Sequence, residues 1–468
     1  MNFLQILNHS VADTAYLRDV RLHAGDGELV FLVHIYLLRY RNNRRITYRL
    51  LFPLNRSLTG DGVRETLRRI SRHLPELRIY EVPSGTEAFD WRVPDEWEIS
   101  EAYLEDPSGK RIVDFSGNNL HVVGYSTPVD ETFTLDELQP HLHSLPEMPD
   151  AIPYVTSYYS DRWGFCVSHR LRQSLRPGSF RAVIKSRKFK GVMNYADLLI
   201  PGETKKEVLL STYICHPSMA NNEVSGPAVM TYIGKWLREY PRRYSYRLVF
   251  APETIGAVYY LSKHLDHLRS NVLAGFNISC VGDDRNYSYV ASRKGDTIAD
   301  RIAQRALTAL SQNYVRHSFL ERQSDERQYG SALVDLPYVG LSRTKYGCYD
   351  EYHTSLDDFT VVTAAGLEGG FKMVASCINL LESSRIFVAT HPGEPQLGKR
   401  GLYPTLGGGR VSASVDSLLN VLTYCDGKDD VLTIAEHCGL SEVETLEILE
   451  ILDKHGLVRE VDPRPQRT

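Results

Sequence analysis

Over residues 182–280 the chain alternates strand-like apolar runs with helix-like ones, and this alternation narrows the architectures open to it more than any other feature. Two or three strands fill 182–214, with a Pro201-Gly202 turn between DLLI and EVLLSTYI. A helix over 226–240, a strand over 247–251, a helix over 255–268 and a strand over 273–280 follow. That order predicts an α/β fold around a largely parallel sheet. In an open sheet of this type, ligands bind beyond the carboxyl ends of the strands, where side chains face a crevice. The strand that starts near Leu209 breaks at Cys215-His216-Pro217, so His216 stands where chemistry would sit.

The flanks differ in texture. Residues 54–77 read as a helix, with Thr59 and Asp61 as candidate caps and Val63, Leu67 and Ile70 at helical spacing. From 89 to 140 come short Trp- and Tyr-rich runs punctuated by Pro94, Asp106-Pro107-Ser108-Gly109 and Gly117-Asn118-Asn119, which predicts a small β module. Three short helices over 418–424, 433–438 and 442–455, with Gly439 in the middle turn and an extended 457–461, predict a winged helix. Ser441 with Glu444 three residues on forms a capping box. A helix that reads DNA carries Lys and Arg toward phosphates, whereas this third helix holds Glu442, Glu444, Glu447, Glu450 and Asp453. Packing or contact with a protein partner is therefore expected of it, and nucleic acid is not. The first 50 residues follow no clear pattern, and the basic cluster Arg39, Arg41, Arg44 and Arg45 suggests no role.

At 468 residues and 42% hydrophobic, the chain is long enough for more than one domain. Its 54 basic and 58 acidic residues give a net charge of −4, which supplies no field for steering a polyanion. The seven cysteines are scattered, with no CxxC pair, as expected in a reducing compartment. The early apolar run at 29–38 is about half the roughly 20 residues of a membrane-spanning helix and contains His34. No signal-peptide layout frames it, so the expected location is the cytoplasm, without a membrane span.

Five islands carry candidate chemistry: Cys215-His216-Pro217-Ser218, Pro252-Glu253-Thr254-Ile255-Gly256, Gly282-Asp283-Asp284-Arg285, Ser324-Asp325-Glu326-Arg327 and Glu351-Tyr352-His353-Thr354-Ser355. Imidazole and carboxylate groups at successive strand ends can converge on one cation, since both suit zinc at about 2.0 to 2.2 Å. Glu253, between a strand and a helix, is the candidate general base for a metal-bound water, and amide hydrolysis is the reaction class. Each island also has a plain structural reading. A His after a strand is commonly a hydrogen-bonded turn residue, Asp283 and Asp284 suit a turn, and Glu253 suits a helix cap. His264, His267 and His317 read as surface residues.

The set HPS…SG, PETIG, SDE and EYHTSLDD resembles the zinc aminopeptidase-like superfamily, which includes bacterial leucyl aminopeptidases and glutaminyl cyclases. More closely, FPLNRSLTGDGVRETL at Phe52, FDWRVPDEWEI, DPSGKRIVDF, LPYVGLSRTKYG and EYHTSLDD resemble aminopeptidase-like proteins encoded beside bacterial polysaccharide-biosynthesis genes. The resemblance runs from Phe52 to the C-terminus. It implies an α/β/α zinc-peptidase-like sandwich over 47–395 with a β module inserted at about 88–145, a winged helix over 400–468 and an extension over 1–46.

By that resemblance His216 is the first zinc ligand, His353 the last, and Glu253 the general base. Two departures matter: Thr254 replaces a metal-binding Glu, and Asn222, followed by Glu223, replaces the Asp that bridges two metals. An Asn oxygen offers a dipole where Asp offers a charge, so at most one zinc is expected. Asp283 or Asp284 would complete its site, with Glu223 as substitute, and Asp325 or Glu326 would hold a cationic amine of the substrate. The implied partner is a small-molecule or peptide-like substrate, and an oligomer stays open. The same departures suit an alternative, a peptidase fold that binds or scaffolds without turnover.

Overall fold

The computed structural model describes residues 50–402 and 413–461. The expected extension at 1–46, its apolar run and its basic cluster lie outside the described residues. These fall into two compact units, 50–382 and 383–461, each with a core of its own.

An eight-stranded sheet organises the first unit. Its strands are β1 (Arg78–Pro83), β2 (Val192–Ile200), β3 (Glu207–Tyr213), β4 (Ser245–Ala251), β5 (Val272–Ile278), β6 (Ser288–Val290), β7 (Val315–His317) and β8 (Tyr338–Ser342). They run across the sheet in the order β1-β2-β4-β3-β5-β8-β6-β7. The central four, β4, β3, β5 and β8, are parallel, as the strand and helix alternation predicts. Antiparallel pairs extend the sheet on both sides. Every residue of β3, β5 and β8 is buried, the signature of a parallel sheet covered on both faces.

The main helices of this unit are α1 (Asp61–Ser71), α2 (Ser225–Arg238), α3 (Ile255–Asn271), α4 (Ile298–Leu310) and α5 (Ala364–Ser383). α2 packs against β3, and α4 against β5 and β8. Ahead of α2, residues Ala220–Val224 form a wide turn in which the Ser225 N–H donates to the Ala220 carbonyl five residues back. Widened helical turns of this kind recur at functional sites. The helix then passes close to the sheet at Gly226, where a Cβ would fall 2.4 Å from Thr212 Oγ1 and 2.5 Å from the Ile278 carbonyl.

Thr59 does not cap α1. Gly60, at φ 97°, holds the N-cap position without a side-chain bond. The Thr59 hydroxyl instead pairs with Tyr125 OH at 2.6 Å and accepts the Trp97 N–H at 3.2 Å, tying α1 to the inserted module.

That module is a four-stranded antiparallel sheet in the order Arg111–Asp114, Glu96–Glu105, Ser179–Phe189, Val129–Thr134. Its core includes Leu104, Phe165, Phe180 and Ile184. The strand Ser179–Phe189 lies beyond the expected limit of 145, in a stretch whose pattern suits the central sheet equally well. A tight turn at Lys190-Gly191 separates it from β2, so two consecutive strands feed two different sheets. A Cβ on Gly191 would fall 2.6 Å from Glu96 Cβ, closer than real Cβ atoms approach, which favours glycine there.

The second unit holds β9 (Ile386–Ala389), α6 (Ala413–Thr423), β10 (Asp426–Asp430), α7 (Val431–Cys438), α8 (Glu442–Lys454) and β11 (Val458–Val461). Its sheet order is β10-β9-β11, antiparallel throughout. Asp430 caps α7 by accepting the Thr433 N–H at 2.8 Å, and Gly439 ends it at φ 64°. The Ser441–Glu444 capping box opens α8, as expected. Val421, Ile434, Leu449 and Leu452 meet in its core. Because β9 completes the sheet, the winged helix begins before residue 400. No helix among the described residues is long and apolar enough to cross a membrane, and all seven cysteines are free.

Gly226→Ala is expected to destabilise the first unit by about 1 to 3 kcal/mol through overpacking. A drop in the chemical-denaturation midpoint with an unchanged slope would show it, and an unchanged midpoint would contradict the close approach.

Candidate functional site

The chain leaves β3 for β4 on one side and then crosses to β5 on the other, so the strand order reverses at β3. This is the topological switch point, where open α/β sheets place their ligand crevice. His216 follows β3 and Glu253 follows β4, and the two strands end level, with Tyr213 opposite Ala251. His216 Nε2 and Glu253 Oε2 consequently lie 3.8 Å apart. His353 joins them from a distant loop, its ring centroid 5.4 Å from that of His216. Backbone pairing with the 152–154 segment of the inserted module holds that loop, through Tyr154 N–H to the His353 carbonyl at 2.8 Å and Ser355 N–H to the Ile152 carbonyl at 2.9 Å. The Tyr154 ring lies against both imidazoles, at 5.3 and 5.0 Å.

A buried ion pair fixes His216. Its Nδ1 lies 3.0 Å from Glu223 Oε2, and Glu223 Oε1 lies 3.1 Å from Arg56 Nε. That contact is not aligned for a hydrogen bond, because Arg56 Nε donates to the His216 carbonyl at 2.9 Å. Burial alone would depress the His216 pKa, but the hydrogen bond and charge of Glu223 outweigh it and the net shift is upward. His353 has no such carboxylate. Burial, with the charge of His216, pushes it down to about 3 and keeps it neutral.

Glu253 is gripped from behind. Ser324 Oγ donates to its Oε1 at 2.6 Å, and Asn277 Nδ2 donates to Ser324 Oγ at 3.1 Å. Desolvation raises the pKa of Glu253 against the opposing pull of His216. Asp325, buried beside it, is raised well above the carboxylate range by burial and by the Glu253 charge, and its Oδ1 accepts the Thr254 N–H at 2.8 Å. Thr254, Cys280 and His353 hold φ values of 64°, 51° and 57°, and strain of this kind gathers at functional sites.

The other expected residues are placed differently. Asp283 is saturated by Asn221 Nδ2 (2.9 Å), the Thr344 N–H and hydroxyl (3.0 and 2.7 Å) and the Arg285 N–H (3.1 Å). Asp284 is exposed and accepts from Thr363 at 2.9 Å. Glu326 is fully buried and takes bonds from Tyr346, Asn277 and the N–H groups of Gln323 and Ser324, which leaves little for a substrate amine. Asn222 Oδ1 accepts from Tyr213 OH at 2.9 Å, while Thr254 Oγ1 accepts from the Arg327 guanidinium at 2.6 Å. Where the resemblance calls for two metal carboxylates, neutral oxygens therefore already serve fixed donors, and one of these is a permanent cation.

A catalytic zinc site takes three protein ligands. No group of three or more His, Cys, Asp and Glu side chains among the described residues is arranged to hold a metal ion. The expected set of His216, His353 and Asp283 or Asp284, or Glu223 in their place, with Asn222 beside it, is not assembled, because the aspartates accept bonds from the scaffold and Glu223 is held between His216 Nδ1 and Arg56. His216 Nε2 and the unpartnered His353 Nε2 remain, and two imidazoles do not make the zinc centre the resemblance implies. Arg56, Ser324, Arg327, Tyr154 and Asp357 also belong to this neighbourhood; all but Tyr154 fall in the islands or matched segments singled out above, yet nothing in the sequence gives them a role at the site. Asp357, pushed up to about 6 by burial, anchors the wide turn through the N–H groups of Asn221 and Asn222.

The sheet order and the residues gathered at its switch point define an aminopeptidase-like α/β domain joined to a winged helix. In fold it is similar to a zinc aminopeptidase from Bacillus subtilis (TM-score 0.51, 13% identity, 72% of this chain and 94% of that one). A Shewanella amazonensis peptidase M28 precursor is similar at the same level (TM-score 0.52, 10% identity, 76% and 97%). The chain belongs to the family described as "Domain of unknown function (DUF4910)", matched over residues 45–384, and a winged helix-turn-helix family matches 385–460. It is 42% identical over 392 residues, 83% of this chain and 90% of the other, to a Clostridium acetobutylicum protein described as "Putative polysaccharide biosynthesis protein with aminopeptidase-like domain". A crystal structure of a peptidase, so described as putative, from the same organism superimposes with a TM-score of 0.81 at 37% identity, covering 93% of this chain and all of that one.

Histidine NMR over pH 5 to 8 is expected to show His353 neutral throughout and His216 titrating above the ordinary value of 6.5. Glu223→Gln should lower the His216 value. For stability the sign at His353 is set by a folded value of about 3 below 6.5 when unfolded, so its contribution is lost as pH falls below about 6.5. Replacing His353 with Phe should flatten that limb, whose slope approaches about 1.4 kcal/mol per pH unit. An unaltered limb would contradict the burial of a neutral imidazole.

Proposed function

We propose that the chain is an aminopeptidase-like binding protein of polysaccharide biosynthesis, whose switch-point site engages a small-molecule or peptide-like ligand without metal-dependent turnover. The observation that carries this reading is the engagement of Asn222 by Tyr213 and of Thr254 by Arg327. A guanidinium beside Thr254 opposes a second dication there, and no carboxylate at 222 screens one. The link to polysaccharide biosynthesis rests on the 42% identical relative. The free cysteines support a reducing, cytoplasmic setting, and the winged helix, with its acidic α8, is assigned to a protein partner.

Glu253 favours a second reading, hydrolysis of an amide or peptide-like substrate. Its carboxylate faces His216, is oriented by Ser324 and has a raised pKa, as suits a general base. Two measurements separate the readings. The binding reading expects well under one zinc per chain by elemental analysis of protein purified without chelator, and no hydrolysis of amino-acid amides or anilides. About one zinc per chain, with turnover abolished by Glu253→Gln, would establish the hydrolase and retire the binding reading. Asn222→Asp combined with Thr254→Glu is expected to raise zinc content, since it restores both missing charges.

A further inference from the structure

Three aromatic side chains of the inserted region face solvent. Trp91 is 40% exposed, and Phe89 and Tyr159 are 60% exposed each. The Trp91 and Tyr159 rings meet edge to face with centroids 6.1 Å apart, although the two residues are distant in sequence. Trp91 belongs to a short hairpin, in which Glu87–Ala88 pairs with Trp91–Arg92, and the hairpin packs against α3. Phe89 opens its two-residue turn at φ 53°. Glycine, asparagine and aspartate adopt such a φ readily, whereas a bulky side chain does not. A Phe at this position improves neither the turn nor the core, and exposed apolar clusters with local strain mark contact surfaces.

The cluster is continuous with the candidate site. α3 begins at Ile255, two residues after Glu253. Tyr158, the neighbour of Tyr159, shares a 2.6 Å hydroxyl hydrogen bond with Tyr154, whose ring lies against His216 and His353. Close to Tyr159 in the chain, Asp161 and the Ser160 carbonyl accept from Lys188 Nζ at 2.8 and 3.4 Å. The Asp161 side chain is 84% exposed, so this pair offers a donor and an acceptor beside the rings. Three half-exposed rings present on the order of 300 Å² of apolar surface. That is the size of a functional patch, yet well under the roughly 800 Å² that each partner of a stable protein complex buries. A small ligand suits it better, and one with an apolar face and a hydroxylated edge suits it best. The C–H face of a pyranose ring would cover aromatic carbon, while its hydroxyls, each both donor and acceptor, engage the Lys188–Asp161 pair.

We propose that Trp91 and Tyr159 form a stacking subsite for a pyranose ring, so that the ligand of the candidate site is a glycosyl compound. The inference rests on the reading that this site binds a ligand of polysaccharide biosynthesis. Saturation-transfer NMR on the full chain compares maltotriose, chitotriose and the peptide Leu-Gly-Gly. At least one trisaccharide is expected to receive saturation, strongest at the C–H protons of one ring face. Trp91→Ala and Tyr159→Ala should each weaken its binding severalfold, up to about tenfold. Because Trp91→Ala also removes a side chain that the hairpin packs, Tyr159→Ala, which lies outside the hairpin, keeps the test independent of its folding. A trisaccharide that binds both variants as tightly as the unaltered chain overturns the subsite and leaves the binding reading standing. Transfer to Leu-Gly-Gly alone overturns the glycosyl assignment and likewise leaves that reading; transfer to none of the three probes overturns both.

Discussion

The pairing of Arg56 with Glu223 under His216 is the contact on which the rest of the site depends. It joins the loop ahead of α1, the end of β3 and the wide turn before α2, across 160 positions of sequence between Arg56 and His216. Both charges are almost fully buried, at 1% side-chain exposure each. Such a pair adds little net stability, but removing one member strands the other at a cost of about 3 to 5 kcal/mol. What the pair determines is direction. With Nδ1 held by Glu223, the imidazole can present only Nε2 to the crevice, where it meets Glu253.

The neighbourhood divides into a scaffold and a set of reactive positions. Asn221, Asp283 and Asp357 belong to the scaffold. Asn221 links Asp283 to the Gly282 N–H, and Asp357 gathers the N–H groups of Asn221 and Asn222 together with Tyr349 OH. None of these bonds requires a metal, so the strand ends and the wide turn keep their geometry whatever the charge at 222 or 254. Coulomb energy between close charges in a buried site is large, and replacing two carboxylates by neutral oxygens would leave any second cation uncompensated. The fold can therefore stay aminopeptidase-like while the chemistry at its switch point changes. Burial then has opposite effects on two neighbouring histidines: His216, bonded to Glu223, is shifted up, and His353, without a carboxylate, is shifted down.

Local patterns make much of this legible in the sequence. The strand and helix alternation foretells the parallel centre of the sheet, and the Ser441–Glu444 spacing foretells the cap of α8. His216 and Glu253 stand out because each follows an apolar strand, and strand ends in a parallel sheet share one edge. Wherever the outcome depends on a distant partner, the pattern is silent. The strand Ser179–Phe189 is apolar enough for either sheet, and only its pairing with Glu96–Glu105 decides between them. Thr59 has the chemistry of a cap, yet Tyr125 and Trp97 claim its hydroxyl. Asp283 has the chemistry of a ligand, yet Asn221, Thr344 and Arg285 fill both its oxygens. Arg56 shows this most strongly, because in sequence it is a basic residue in the first turn of the helix expected over 54–77, and only the structure, whose α1 begins at Asp61, places it in a buried loop. Its role follows from Glu223. A carboxylate buried there needs a cation, and the chain supplies one from 167 positions away, a dependence that only the folded arrangement reveals.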